Sequence, residues 1–381
     1  MPRRRPPGKP RGWAGVGRLW YIGSMENPLN HKPDLRDLRP QQVQDILTSL
    51  GEKPFRARQV LRWLYKNAAP DFETMSDLAK PLRQRLSQVA RLTAMAPAQV
   101  EDAADGTSKL LYVLDDGARI ESVLIPEADH HTLCVSSQVG CRQGCAFCRT
   151  ATLGFTRNLR PAEITGQVLT ARALVDEARP LTNLVFMGMG EPLDNLGSLL
   201  ISLEHILGES GLQMSQRRVT VSTVGLADHL ADFGRATPAA LAVSLNAANE
   251  GLRSKLMPIN RRFSLATLKA ALLAYPLKPT RRITLEYVLL GGVNDRPAHA
   301  VELARWCRGL KCKVNLIPFN PHEGADFVAP AEADVQVFQE VLISEHITAL
   351  LRRSRGADIS AACGQLAARA ALDDWDEEDG D

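Results

Sequence analysis

The sequence predicts an α/β protein: a partial, open (βα)6 barrel with a small N-terminal helical domain and a linking β-hairpin. Three observations carry this. From residue 132 onward, short apolar strand-like runs alternate with helical patterns, as in a parallel sheet covered by helices. Residues 35–92 carry only helical periodicity. Between the two, apolar-rich runs over 109–125 flank Asp115-Asp116-Gly117, a sound hairpin turn.

The elements follow in order. Val43, Ile46, Leu47 and Leu50 recur at i, i+3, i+4, i+7, and Ala57, Val60, Leu61 and Leu64 repeat the spacing. Both predict amphipathic helices, with Gly51-Glu52-Lys53-Pro54 as the break. Arg56, Arg58, Arg62 and Lys66 fall off the second stripe. Such a face is ordinarily just solvated, and it equally suits contact with phosphates. Candidate barrel strands are Thr132–Ser137, Asn183–Met187, Val219–Thr223, Leu241–Leu245, Ile283–Leu290 and Lys313–Pro318. Helical patterns between them include Ala162–Ala178, Leu199–Gly208, Leu265–Leu273 and Ala298–Cys307. Six units are too few to close an eight-stranded barrel, and the site is expected at the C-terminal strand ends.

Length and charge set the outer limits. A chain of 381 residues has room for two or three domains, and a net charge of +3 does not announce a nucleic-acid binder. The distribution says more. Residues 1–24 carry six Lys or Arg, four Pro and no acid, while the last nine residues carry seven acids. Both ends read as disordered tails. The expected division is a basic tail at 1–30, a helical accessory domain at 31–95, a core at 105–368 and an acidic tail at 369–381. Met25 is a candidate start. No apolar run approaches the roughly 20 residues of a membrane span. Seven cysteines in a long chain do not make a secreted disulfide scaffold, so the cytoplasm is the expected compartment.

Three of those cysteines form Cys141-Arg-Gln-Gly-Cys145-Ala-Phe-Cys148, a C-x3-C-x2-C run. Three thiolates on one tight loop suit a four-iron, four-sulfur cluster with one iron left open to chelate a small molecule. The spacing resembles the signature of the radical S-adenosylmethionine (radical SAM) enzymes. A rival reading adds Cys134 upstream and makes a four-cysteine zinc site, although zinc ligands usually come in two short paired knuckles.

Polar or glycine clusters follow several candidate strands. They are Gly188-Met189-Gly190-Glu191-Pro192, then Ser222, Thr223 and Gly225, then Ser244-Leu245-Asn246, and finally Pro318-Phe319-Asn320-Pro321. Each alone is ordinary turn chemistry; four at successive strand ends point to a ligand site. Cys307 and Cys312 read as small buried hydrophobes. Cys363 has glycine and polar neighbours near the chain end, which suggests an accessible, nucleophilic thiol.

The resemblance then becomes closer. Gly51–Arg56, Leu133–Cys141, Gly154–Leu159, Met187–Pro192, Asn315–Pro321 and Ala362–Leu366 resemble the bacterial dual-specificity rRNA/tRNA adenine-C2 methyltransferases, from about residue 30 to about residue 370. The resemblance makes the barrel a radical SAM barrel and implies a four-iron, four-sulfur cluster on Cys141, Cys145 and Cys148. It implies SAM contacts at Gly190, Glu191, Ser222, Ser244, Leu245, Asn246 and Asn320. It further implies that Cys363 is methylated on sulfur by one SAM. A deoxyadenosyl radical from a second SAM then activates that methyl group, and the carbon adds to adenine. Cys134 releases the product through a transient disulfide with Cys363. Glu121 matches the family's proton acceptor; by itself it reads as an exposed hairpin carboxylate.

The implied targets are an adenosine of the 23S rRNA peptidyl-transferase centre and the adenosine just 3′ of some tRNA anticodons. Carbon 2 of adenine is electron-poor, so direct attack on SAM is closed while radical addition is open. Arg56, Arg58, Arg62, Arg157, Arg160, Arg261, Arg262, Arg352 and Arg353 are candidate phosphate contacts. A reductant such as flavodoxin is expected, and a monomer that engages no membrane. Asn246 departs from the His of many relatives, and the acidic end and basic start also depart. Methylation at carbon 8 and a zinc-stabilised RNA-binding module are the rival readings.

Overall fold

The computed structural model describes residues 32–322 and 324–368. The expected tails and the candidate start Met25 lie outside them. No helix among the described residues is long and apolar enough to cross a membrane.

The helical part holds α1 (Pro40–Ser49), α2 (Phe55–Tyr65) and α3 (Lys80–Val89). The apolar stripes read from the sequence supply Val43, Leu47, Val60, Leu61 and Leu64 to its core. The Arg36 guanidinium knits it together: Nη1 donates to the Thr93 carbonyl at 2.6 Å and Nη2 to that of Ala69 at 2.7 Å. Helix α3 has no counterpart among the expected elements: its apolar content is thin and only Leu82 and Leu86 are buried.

Next come β1 (Gln99–Asp102), β2 (Ser108–Val113) and β3 (Arg119–Pro126), an antiparallel set around the expected turn. β3 pairs antiparallel with β4 (His131–Cys134), which begins the parallel sheet. A small antiparallel pair, β5 (Gln138–Gly140) and β6 (Phe155–Asn158), encloses α4 (Arg149–Thr152).

The barrel continues as α5 (Pro161–Ala173), β7 (Leu181–Phe186), α6 (Leu196–Leu207), β8 (Val219–Thr223), α7 (Ala227–Ala236) and β9 (Ala240–Ser244). Then follow α8 (Glu250–Leu256), α9 (Leu265–Leu273), β10 (Ile283–Leu289), α10 (Pro297–Cys307), β11 (Cys312–Pro318), α11 (Glu332–Ser344) and β12 (Ala349–Leu351). The order β1-β2-β3-β4-β7-β8-β9-β10-β11-β12 is one sheet, parallel from β4 onward. The partial, open barrel read from the sequence therefore carries one more parallel strand than expected. β12 has three residues, too short to give a period.

Alternation along the strands decides what faces inward. On β10, Tyr287 packs its ring against Phe338 of α11, 5.3 Å between centroids, so the odd positions face the helices. The even positions, Thr284, Glu286 and Val288, face the barrel interior. Register carries that face across the sheet: Ser244 pairs with Glu286, and Glu286 with Asn315.

The helical part is bolted to the barrel at the start of α5 and along α6. Asp37 accepts from the Ala162 N–H at 2.8 Å and pairs with Arg160 at 2.8 Å. His205 of α6 contacts the Leu38 carbonyl through Nε2 at 2.9 Å and lies against the Tyr65 ring at 4.8 Å. Cys307 is buried as expected of a small hydrophobe; Cys312 is half-buried, and the two thiols hydrogen-bond.

Candidate active site

The three-cysteine loop runs between β5 and α4, at the C-terminal end of the sheet. Gly140 fixes its entry. Its φ is +71°, and a Cβ there would lie 1.9 Å from the Gly154 carbonyl oxygen. That same oxygen accepts from the Cys141 N–H at 2.7 Å. Further along, the Ala146 N–H donates to the Leu256 carbonyl at 2.9 Å, which ties the loop to the end of α8.

Cys141, Cys145 and Cys148 are each half-buried and interact electrostatically with one another. Burial pushes all three thiols up, Cys141 to about 12. A cationic metal group bound there would hold them as thiolates. The surroundings fit one. The Gln143 N–H points at the Cys141 sulfur, the Thr150 and Ala151 N–H groups point at Cys148, and the Arg253 guanidinium favours charge on Cys145. Hydrogen bonds to sulfur and a nearby cation are what a thiolate-ligated iron–sulfur cluster uses. Among the described residues no three His, Cys, Asp or Glu gather as tightly as a single ion demands. Cys134 stands apart from this loop, in β4, with Cys363 as an electrostatic neighbour.

The run after β4 builds the adjoining wall. Ser136 Oγ donates to the Glu121 carbonyl and accepts from the Met189 N–H at 2.8 Å. The Gln138 amide oxygen accepts from the Glu191 N–H at 2.8 Å. Gly190 sits against Gln138 with φ +96°, and a Cβ would lie 2.5 Å from the Gln138 Cβ. Glu191 is buried, and desolvation raises its carboxyl to about 7 despite hydrogen bonds from Thr223, Val224 and Leu193. The N–H bonds are 2.8 Å from Val224 and 3.0 Å from Leu193. A buried carboxylate of this kind is ready for a cationic partner.

The other expected SAM contacts divide. Ser222 and Ser244 face the interior, Ser244 half-buried, and Asn320 lies largely buried just after β11. Leu245 is fully buried, and its backbone is already used: its N–H donates to the Glu286 carbonyl and its carbonyl accepts from Arg253 Nε. Asn246 already uses part of its amide within the fold. Its Oδ1 accepts from the Val288 N–H at 2.8 Å and its Nδ2 donates to Met257 sulfur at 3.2 Å. The cause is local: its backbone turns left-handed, φ +57°, at the end of β9 and folds the amide inward.

Cys363 lies in a segment held on three sides. The Arg149 N–H donates to the Gly364 carbonyl at 2.8 Å, and Thr150 Oγ1 to that of Leu366 at 2.7 Å. Gln365 Nε2 reaches the Pro321 carbonyl at 2.9 Å. Both Ala367 and Ala368 N–H groups donate to Glu121 Oε2 at 3.0 Å. Glu121 is thus 2% exposed, not the open hairpin carboxylate its sequence suggests. Cys363 keeps access to solvent, while dense protein around its sulfur raises the thiol by desolvation. Cys134 and Cys363 lie within electrostatic reach of each other, and burial pushes Cys134 up to about 12.

Several site residues escaped the sequence reading. Arg253 is fully buried and donates to the Val224 carbonyl at 2.9 Å, to that of Leu245 at 3.1 Å and to Asn260 Oδ1 at 2.9 Å. It gathers the ends of β8 and β9. Glu286 is buried and raised by desolvation; Asn315 holds one oxygen at 3.0 Å and the other has no partner among the described residues. Arg352, expected at phosphates, points inward instead. Its Nη1 is 3.8 Å from Met187 sulfur, and its charge acts on Cys134, Cys363 and Glu286. Arg157 and Arg160 are half-buried and paired with Asp116 and Glu163, and with Asp37 and Asp115. Arg58, Arg62, Arg261, Arg262 and Arg353 are exposed, Arg262 beside Asp228, and Arg56 is half-buried beside Glu52. No local pattern marks these differences, since each depends on which strand ends meet.

The fold and the cysteine loop define a radical SAM enzyme, and residues 135–304 match the model of the radical SAM superfamily. Residues 33–92 match the N-terminal domain of ribosomal RNA large subunit methyltransferases. The dual-specificity RNA methyltransferase RlmN of Anaeromyxobacter dehalogenans is 51% identical over 88% of this chain and 92% of its own length. That of Desulfosudis oleivorans is 49% identical over 92% and 94%. A crystal structure of a radical SAM methyltransferase from Sphaerobacter thermophilus, 44% identical, superposes with a TM-score of 0.84 over 88% of this chain and all of that one. The chain belongs to the RlmN family of dual-specificity RNA methyltransferases.

Proposed function

We propose that this chain methylates carbon 2 of adenine in 23S ribosomal RNA and in transfer RNA, carrying the transferred carbon on the sulfur of Cys363. The observation that supports this most is the union of two loops. The loop of three cysteines and the loop of Cys363 share a backbone hydrogen bond, Arg149 N–H to Gly364 carbonyl, at 2.8 Å. Family membership supplies the substrate class, since the relatives are dual-specificity RNA methyltransferases.

Cys141, Cys145 and Cys148 would hold a four-iron, four-sulfur cluster, which when bound supplies the electron that cleaves SAM homolytically. Gly190 and Glu191 receive the SAM amino group, the carboxylate accepting from the ammonium. Ser222, Ser244 and Asn320 line the remainder of the SAM site, with Leu245 and Asn246 shaping its floor. Cys363 is the nucleophile that becomes S-methylcysteine. Glu121 accepts the proton lost from adenine. Cys134 attacks the Cys363 sulfur, and the disulfide so formed frees the RNA. The Arg352 guanidinium favours thiolate character at both cysteines.

The helical domain 31–95 presents Arg58, Arg62 and Lys66 to RNA phosphates. A flavodoxin-type reductant, a monomeric state and a cytoplasmic setting complete the reading.

The test is mass spectrometry of the Cys363 peptide from anaerobic, iron-loaded protein given SAM, followed by nucleoside analysis of treated RNA. One added methyl on Cys363 and 2-methyladenosine in the RNA are expected. An unmodified Cys363 in iron-loaded protein would refute the carrier role, and 8-methyladenosine would refute the position.

A further inference from the structure

The segment that carries Cys363 is held at both ends by one buried ion pair. Lys109 of β2 and Glu121 of β3 share a face: Lys109 pairs with Val123, and Glu121 with Leu111, so the two are diagonal neighbours. Lys109 Nζ lies 3.5 Å from Glu121 Oε1 and 3.0 Å from Glu101 Oε2. It donates to the Ile359 carbonyl at 2.8 Å. Glu121 Oε2 accepts from the Ala367 and Ala368 N–H groups at 3.0 Å each. The Lys109 and Glu121 side chains are 9% and 3% exposed.

The chemistry of the arrangement is closed. An ammonium has three N–H donors, and Lys109 has three acceptors around it: Glu101, Glu121 and the Ile359 carbonyl. One of these is the upstream end of the Cys363 segment, and a second is the carboxylate that grips the downstream end. Removing the ammonium from such a buried set leaves acidic oxygens without a counter-charge. The carboxylate then has reason to turn away from the backbone N–H groups.

We propose that Lys109 is a positioning residue for Cys363, fixing Ile359 directly and Ala367 and Ala368 through Glu121, so that the thiol returns to one place between its successive partners. The functional consequence rests on the reading of Cys363 as the methyl carrier; the clamp itself does not. Neighbouring contacts reinforce the upstream end. Asp105 accepts from the Gly356 N–H at 3.1 Å, and Asp358 accepts from the Ala104 N–H at 2.9 Å.

The experiment compares full-length, iron-loaded wild type with Lys109→Met and Lys109→Arg. It reads amide hydrogen exchange over residues 360–368, SAM affinity, and the rate at which Cys363 gains a methyl group. In Lys109→Met, exchange at Ala367 and Ala368 should rise about tenfold or more, and Cys363 methylation at saturating SAM should slow by a similar factor. Iron content and SAM affinity should hold within about twofold, and Lys109→Arg should recover most of the loss. Unchanged exchange would overturn the proposal, as would equal failure of the Met and Arg forms or a parallel loss of iron and SAM binding. If Lys109→Met does not fold, Glu121→Gln decides: it keeps an acceptor for the two N–H groups but ends the ion pair, and unchanged exchange over 360–368 would again overturn it. Faster exchange alongside an unmethylated wild-type Cys363 would uphold the clamp and defeat only the carrier reading.

Discussion

The backbone N–H of Arg149 donates to the carbonyl oxygen of Gly364 at 2.8 Å, across 215 residues of chain. Directly after Cys148, the cysteine loop therefore becomes the seat of the Cys363 loop. Thr150 strengthens the join by donating to the Leu366 carbonyl at 2.7 Å.

Thr150→Val tests that join. The variant keeps the shape but strands a buried carbonyl, at a cost of about 1–3 kcal/mol. Hydrogen exchange should rise in residues 364–368. An exchange pattern like wild type would show that the Arg149 bond alone sustains the contact.

Cys363→Ala and Cys134→Ala separate two roles. The first should leave iron loading intact and abolish RNA methylation, read by nucleoside analysis. The second should accumulate a covalent protein–RNA species, seen as a shifted band on a denaturing gel. Methylated RNA from the first, or no adduct from the second, would contradict the assigned roles.

Gly190→Ala places a Cβ at a φ of +96° and 2.5 Å from the Gln138 Cβ. Strain and overlap together should cost about 1–3 kcal/mol and tilt Glu191 away from its place. Equilibrium dialysis should show SAM affinity down about tenfold or more. Undiminished affinity would remove this loop from the SAM site.

His205 predicts an acid sensitivity of the helical part. Burial lowers its folded-state value to about 4 from the usual 6.5. Between those values the unfolded chain binds more protons, so stability contributed by neutral His205 is full above about 6.5 and is lost as pH falls toward about 4. The size is about 3 kcal/mol. Urea unfolding between pH 7.5 and 5 should show a steeper loss in wild type than in His205→Phe. Parallel curves would mean that the ring is protonated without penalty.

Much of this architecture is legible in the chain. Val219–Thr223 and Leu265–Leu273 match the structural elements end to end, because buried strands and amphipathic helices write their own periods. The same signal fails for β12, too short to show a period, and is thin in α3, where only Leu82, Leu86 and Val89 carry it. Site residues divide likewise. The three cysteines and GxGEP stand in local motifs, whereas Lys109, Arg253 and Glu286 carry no motif. Their roles arise from register and from chain crossings, which no window of sequence contains.

By itself, the sequence determined the strand-helix alternation, the cysteine loop and the family, since these depend on spacing along one stretch of chain. Tertiary structure alone decided that Glu121 is buried and grips Ala367 and Ala368, that Arg352 turns inward, and that Asn246 spends its amide on Val288. The physical reason is burial: once folding strips water from a polar group, the nearest complementary group takes its place, and that neighbour is chosen by the fold.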